Sequence, residues 1–263
     1  MDLKKYGPWA LIVGGSEGVG ESFARKLAAD GFKLVLVARR LGPLDALAGD
    51  LRKEGCEVRV ASVDMTGPDA LHHIRVVTDD IEVGLLIYNA GVVGLDTPFL
   101  DRRIEEHRAI IGLNVCNPTE LAFHFGGLMR PRGRGGMIIV GSTASYMGVP
   151  GMSAYSAVKA FERFLCEGLW AEFESYGVDV LHLCLGYTAT AGAVRSGADV
   201  SSAQTCDDAA QDGLDNLAKG PLWIPKADHA RIAKRMQLFD RQDAIRANGL
   251  RVPGIKTRTG WRG

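Results

Sequence analysis

Short apolar runs alternate with amphipathic stretches along most of the chain. Trp9–Val13, Lys33–Ala38, Val58–Val63, Gly84–Tyr88, Met137–Val140 and Asp179–Leu185 are largely apolar over four to seven residues. Runs of that length without polar alternation predict strands buried on both faces, as in a parallel sheet. Between them the apolar positions recur at helical spacing: through Phe23, Leu27 and Ala28 to a stop at Gly31, over Leu41–Gly55, and over Pro68–Thr78. A longer pattern runs from Arg102 to Met129, with Ile104, Ile110, Ile111, Leu113, Val115, Leu121 and Phe125 on its apolar side. Another runs from Tyr155 through Phe161, Phe164, Leu165, Leu169, Trp170 and Phe173 to Gly177. Asp207–Leu217 and His229–Ala247 read as further helices and Leu222–Ile224 as a last strand. The alternation predicts an α/β fold, a single doubly wound parallel sheet with helices on both faces, spanning residues 1–263 as one Rossmann-type domain.

Three features interrupt the pattern. Asn114 is a polar residue inside a long apolar helix and must find partners there, and Pro118 should disturb that helix just beyond it. The helix that starts at Tyr155 has apolar residues on several faces, which predicts burial in a subunit interface. The region from 191 to about 222 is expected to cover the substrate, its first part, Ala191–Cys206, being small, polar and poor in periodicity.

Charge excludes some partners. The 31 basic and 31 acidic residues balance, so no global field draws the chain to nucleic acid or anionic lipid. No apolar run is long enough to span a bilayer and the N-terminus has no apolar signal segment, so a cytoplasmic protein is expected. The five cysteines form no CxxC pair and no mixed Cys/His spacing, which predicts reduced thiols and no metal site. Arg251, Lys256, Arg258 and Arg262 give the tail a basic character, read as a solvated end or a flap over a neighbouring subunit.

The candidate chemistry sits at strand ends. Gly14-Gly15-Ser16-Glu17-Gly18-Val19-Gly20 follows the first strand and opens the first long helix. That spacing lets backbone approach a pyrophosphate, whose charge the free amides of the helix start receive. The second strand ends at Ala38, where an NAD-binding unit would carry an acidic residue, and Arg39 and Arg40 follow it instead. A planar guanidinium suits a 2′-phosphate, so the preference predicted is for NADP(H), against the alternative that both arginines solvate a strand end. Asp64, with Met65 beside it, either bonds an adenine edge or caps its own turn, and the small Asn89-Ala90-Gly91 turn leaves room for an adenine–ribose edge. Ser142 closes the Met137–Val140 strand, and Tyr155 and Lys159 lie four apart, on one face of a helix. An ammonium beside a phenol favours the phenolate; moving a phenol from about 10 to about 7 takes roughly 4 kcal/mol.

Taken in order and spacing, the glycine turn, Asn89-Ala90-Gly91, Asn114, Ser142 and Tyr155-x-x-x-Lys159 resemble the short-chain dehydrogenase/reductase family along nearly the whole chain. The resemblance implies hydride exchange between a nicotinamide and a carbonyl carbon. It gives Tyr155 the proton, Ser142 the substrate oxygen, Lys159 the tyrosine and the nicotinamide ribose, and Asn114 a water leading from Lys159. It also places Thr190 near the carboxamide and Gly186 and Thr188 among the cofactor-binding residues, and implies a homodimer or homotetramer through the long helices. Val13, Tyr88 and Leu185 depart from the family's usual threonine, asparagine and proline, the last where backbone geometry matters to the carboxamide. Met147, Val149, Met152, Tyr187 and Val194 predict a pocket wall without fixed charge, suited to a largely apolar ketone or secondary alcohol of steroid, 3-oxoacyl or aryl type. A non-catalytic NADP-binding sensor or scaffold is the alternative; such proteins usually lose one of the four active residues, and all four stand here.

Overall fold

The computed structural model describes residues 1–91, 97–195, 197 and 199–249. Its strands are β1 (Trp9–Val13), β2 (Lys33–Ala38), β3 (Val58–Ser62), β4 (Val83–Tyr88), β5 (Gly135–Ser142), β6 (Val178–Leu185) and β7 (Leu222–Trp223). They form one parallel sheet in the order β3-β2-β1-β4-β5-β6-β7. The chain leaves β3 at one edge and returns on the other side of β1, so β1 and β4 flank the point where strand order reverses. Open sheets of this kind bind ligands in the crevice outside the carboxyl ends there.

The helices are α1 (Leu3–Tyr6), α2 (Gly18–Ala29), α3 (Leu41–Lys53), α4 (Ala70–Val76), α5 (Ile104–Ile111), α6 (Asn117–Met129), α7 (Ser153–Glu174), α8 (Ala191–Arg195), α9 (Cys206–Asn216), α10 (Ala227–Met236) and α11 (Arg241–Gly249). On one face, Phe23 and Leu27 of α2, Leu44 and Leu51 of α3 and Leu214 of α9 cover Ile12, Leu34, Leu36, Ile138 and Leu183. On the other, Ile74 of α4, Leu121 and Phe125 of α6 and Cys166 of α7 cover Leu11, Val35, Val37, Leu86 and Val180. Successive strand residues thus enter opposite cores, which is why β1 is apolar at every position. Each large side chain taken fully out of water contributes about 1.5–3 kcal/mol.

Four differences from the sequence reading have physical causes. The pattern over 102–129 is two helices joined by a π-helical segment, Gly112–Cys116. Pro118 has no N–H to bond the carbonyl four residues back, that of Asn114, so the helix widens there. The pattern over 229–247 is also two helices, because the Asp240 side chain accepts from the Gln242 and Asp243 amides (3.0 and 3.1 Å) and starts a new one. The covering region of 191–222 is more structured than a loop: Ala209, Ala210 and Leu214 bury α9 against the core, and Asp207 pairs with Lys26 of α2 at 3.2 Å. Near the start, Asp2 accepts from the Lys4 and Lys5 amides and opens α1, which has too few residues to show periodicity. Every predicted catalytic and cofactor-binding residue falls within the described part, whereas Arg251, Lys256, Arg258 and Arg262 of the basic tail lie outside the described residues.

Candidate active site

The glycine turn is built by close approach. The amides of Gly14 and Gly15 both donate to the Val37 carbonyl at 2.7 and 3.1 Å, folding the turn onto the end of β2. Gly14 has φ +84°, and a Cβ there would lie 2.7 Å from the Ala90 amide nitrogen. A Cβ on Gly20 would strike the Gly14 carbonyl and come within 2.8 Å of Asn89 Nδ2. Asn89 Nδ2 donates to that same carbonyl at 2.9 Å, so its side chain braces the glycine turn. Ser16 is half-buried and Val19 buried beneath the start of α2. Glu17, the residue before α2, makes no side-chain cap, which leaves the first amides of the helix without one.

Electrostatics separate the two predicted arginines. Arg40 Nη2 is 2.7 Å from Glu17 Oε2, and Arg195 of α8 reaches the same carboxylate at 2.8 and 2.9 Å. Arg195 foremost, with Arg40, holds the Glu17 carboxyl below the usual range. Arg39 has no ion pair among the described residues and is exposed at the carboxyl end of β2. Asp64 accepts from Thr66 through both its amide (2.9 Å) and its hydroxyl (2.8 Å), and these bonds lower its pKa. The turn cap weighed for Asp64 is present, with both bonds falling on Oδ1. Met65 is buried, its carbonyl accepting from Asn117 Nδ2 at 2.5 Å.

Lys159 and Asn114 meet in front of Gly91, just past β4, and Lys159 Nζ also donates to the Val140 carbonyl at 3.3 Å, two residues before Ser142 ends β5. Ser142 Oγ accepts from the Ala144 amide at 3.2 Å, which leaves its own O–H to donate. Tyr155 lies in the first turn of α7 and is buried; one turn on, Lys159 Nζ is 5.8 Å from its ring centroid. Asn114 is completely buried in the π-helical segment, its Nδ2 donating to the Ile110 carbonyl at 2.9 Å. Its Oδ1 has no protein partner among the described residues. A Cβ on Gly91 would lie 3.5 Å from Lys159 Nζ and 3.8 Å from Asn114 Oδ1, so this glycine keeps space open in front of both groups. Thr190 stands across the cleft: a Cβ on Gly18, whose φ is +62°, would be 3.9 Å from it. Thr190 Oγ1 accepts from the Ala193 amide (3.2 Å), and Thr188 Oγ1 donates to the Gly186 carbonyl (3.1 Å). The cradle, the open space before Lys159, the orphaned Asn114 oxygen and the free Arg39 guanidinium together fit a phosphorylated dinucleotide.

Several features around these residues are not evident from the sequence. Glu162 is wholly buried, and its Oε1 and Oε2 accept from Lys159 Nζ at 3.0 and 2.9 Å. The only hint was an acidic residue three places after Lys159 on a largely apolar helix. Tyr88, where the family has asparagine, donates its hydroxyl to the Leu113 carbonyl and so pins the segment carrying Asn114. The expected pocket wall is only partly realised. Met152 lines a small cleft at Tyr155 with Phe99, His107 and Ile110, but Arg102 lines it too, so the wall is not free of charge. Tyr187 and Val194 are exposed and Met147 is buried.

A family model for short chain dehydrogenases matches residues 8–201, and the chain belongs to that family. Among its relatives, a 7beta-hydroxysteroid dehydrogenase of Collinsella aerofaciens is 35% identical over 196 residues, covering 72% of this chain and 73% of that protein. A very-long-chain 3-oxoacyl-CoA reductase of Bos taurus is 32% identical over 191 residues, covering 70% of this chain and 60% of that protein. A solved structure concerned with 7beta-hydroxysteroid dehydrogenase stereoselectivity superposes with a TM-score of 0.89 at 29% identity, covering 94% of this chain and 98% of that one. A short-chain dehydrogenase from Sphingobium yanoikuyae in complex with NADPH gives 0.77 at 32% identity, covering 88% and 94%.

Proposed function

We propose that this protein is an NADP(H)-dependent oxidoreductase that interconverts a ketone and a secondary alcohol on a largely apolar substrate of the steroid, 3-oxoacyl or aryl-ketone type. The observation that carries the reading is the buried Tyr155–Lys159 pair on one face of α7, with Lys159 Nζ at the space kept open by Gly91. The names of the relatives support the substrate class, and the free Arg39 beside the glycine turn supports NADP(H).

When bound, NADPH would supply the hydride that the carbonyl carbon gains on reduction, and NADP+ would accept the hydride that the alcohol carbon loses on oxidation. Tyr155 gives its proton to the substrate oxygen in reduction and takes it back in oxidation. Ser142 donates its O–H to the same oxygen and stabilises charge there. The Lys159 ammonium favours the phenolate form of its neighbour. Asn114 Oδ1 accepts from a water that links Lys159 to solvent. The α2 amides, opened by Gly14, Ser16, Gly18, Val19 and Gly20, take the pyrophosphate. Arg39 takes the 2′-phosphate, with Arg40 a weaker second; Asn89, Ala90 and Gly91 line the ribose side, and Gly186, Thr188 and Thr190 the carboxamide side.

The enzyme is also proposed to be cytoplasmic and a homodimer or homotetramer. All five cysteines are unpaired thiols, and no helix among the described residues is long and apolar enough to cross a membrane. Ile111 of α5, Phe123 and Leu128 of α6 and Phe164 of α7 stand exposed, apolar surface that a second copy would cover.

Absorbance at 340 nm with NADPH and a panel of steroid, 3-oxoacyl and aryl ketones tests the reading. At least one ketone is expected to be reduced, and Tyr155→Phe to abolish turnover while NADPH binding persists. Tight NADPH binding without turnover of any panel member would instead favour the sensor alternative.

A further inference from the structure

The catalytic lysine of this chain is not surrounded by backbone and solvent alone. Lys159 is 4% exposed, and its ammonium directs its donors to both oxygens of Glu162 (3.0 and 2.9 Å) and to the Val140 carbonyl (3.3 Å). Glu162 is 0% exposed and has no other hydrogen-bonding partner among the described residues. A carboxylate taken wholly out of water is costly, and it is tolerated where a paired cation and bidentate hydrogen bonds compensate it. The converse holds for the lysine, whose burial by itself favours the neutral amine, a form unable to stabilise a phenolate.

We propose that Glu162 is a positioning residue for the redox reaction, a built-in counter-charge that keeps Lys159 an ammonium and aims it beneath Tyr155. The inference rests on the oxidoreductase reading and adds to it a residue that acts through the lysine without touching substrate.

The surroundings leave Lys159 as the partner that decides the charge of this carboxylate. On α7, Arg163 is committed to Glu167 at 2.8 Å and stacks over Tyr146, and Cys166 is a buried thiol whose pKa is raised by burial and then by Glu162. From β4, Tyr88 has its hydroxyl on the Leu113 carbonyl, and burial, then Glu162, holds it well above the ordinary phenol value. From β6, burial keeps His182 neutral, its pKa pushed down to about 3, and pushes the Cys184 thiol up to about 12. From α5, His107 Nε2 lies 3.0 Å from the Phe99 carbonyl, and the π-helical segment contributes neutral Asn114 and an exposed Cys116. The segments of β5 and β7 carry no ionisable side chain. Burial raises Glu162 to about 7 against the pull of Lys159. Burial also works against the Lys159 charge, but Glu162 and then Tyr155 more than offset it and hold the lysine above its ordinary value.

The test is a titration of the full-length cofactor-free protein carrying 13C at lysine Cε, with the Lys159 resonance assigned by Lys159→Met, in the wild type, Glu162→Gln and Glu162→Asp. Its midpoint is expected above the ordinary lysine value of about 10.4 in the wild type, to fall by about one unit or more in Glu162→Gln, and to stay near the wild type in Glu162→Asp. The alkaline limb of kcat/KM for ketone reduction should move down with it in Glu162→Gln only. Unchanged midpoints and an unchanged pH profile, with only a lower melting temperature, would overturn the proposal and leave Glu162 a structural residue. Should Glu162→Gln not fold, 13C at glutamate Cδ in the wild type decides: a Glu162 carboxyl still protonated at pH 9 overturns it, and one that ionises while Lys159 stays charged supports it. A shifted lysine midpoint in a protein that reduces no ketone would sink the oxidoreductase reading while leaving the pairing intact.

Discussion

Replacing Arg39 by alanine isolates the part of the site that chooses between the two nicotinamide cofactors. Arg40 is 2.7 Å from Glu17, which Arg195 also grips, so part of its charge is already spent. Arg39 has no such partner among the described residues and stands exposed just past β2. A hydrogen bond to a charged group contributes about 1.5–3 kcal/mol, which is roughly 10- to 150-fold in affinity. Exposure and salt screening place this site at the low end, so Arg39→Ala should weaken NADPH about tenfold at 0.15 M salt. NADH, which has no 2′-phosphate, should bind as before. Arg40→Ala should cost less than Arg39→Ala, and the NADPH penalty should shrink as salt rises. Titration of cofactor fluorescence with each variant at two ionic strengths measures all of this. An equal loss for NADPH and NADH, or no loss for either, would refute the assignment and return Arg39 to the solvated strand end that was its alternative.

Three further outcomes follow from the packing. A Cβ on Gly141 would run into the His182 ring, so Gly141→Ala should destabilise by about 1–3 kcal/mol in urea melts, and adding His182→Ala should recover part of that loss. Burial raises Glu162 from its ordinary value of 4.5 to about 7, so the folded state binds the extra proton across that window and stability falls as pH rises through it. Glu162→Gln, which has no such proton to release, should therefore flatten the slope of urea midpoint against pH between about 4.5 and 7; an identical slope would remove Glu162 as its source. Phe164 is 65% exposed, and Phe164→Glu should lower the mass seen by analytical ultracentrifugation without unfolding the chain; an unchanged mass would move the subunit contact elsewhere.

Much of the site was legible because its parts are local. A glycine turn between a strand and a helix, or a tyrosine and lysine four apart, carries its geometry in its spacing, and Pro118 announced the irregular turn around Asn114. Glu162 was illegible for the opposite reason. Whether a glutamate on a helix points to water or into the core depends on which face the sheet covers, and α7 turns that position inward beside Lys159. Asp64 shows the limit of a motif: the carboxylate stands at a plausible place for a ligand, and only the fold shows that Thr66, two residues on, already occupies its Oδ1.

By itself the order of residues determined the doubly wound parallel sheet, the glycine turn after β1 and the tyrosine–lysine pair one turn apart on α7, since each depends on periodicity and short-range spacing. Tertiary structure alone decided which arginine is without an ion pair among the described residues, which acid shares Lys159, and that Arg102 lines the cleft at Tyr155. The first is settled by side chains distant in sequence competing for one partner, since Arg195 reaches Glu17 across 178 positions, and the second by which face of α7 the sheet covers. Burial then sets the strength of each contact, and burial is a property of the assembled fold.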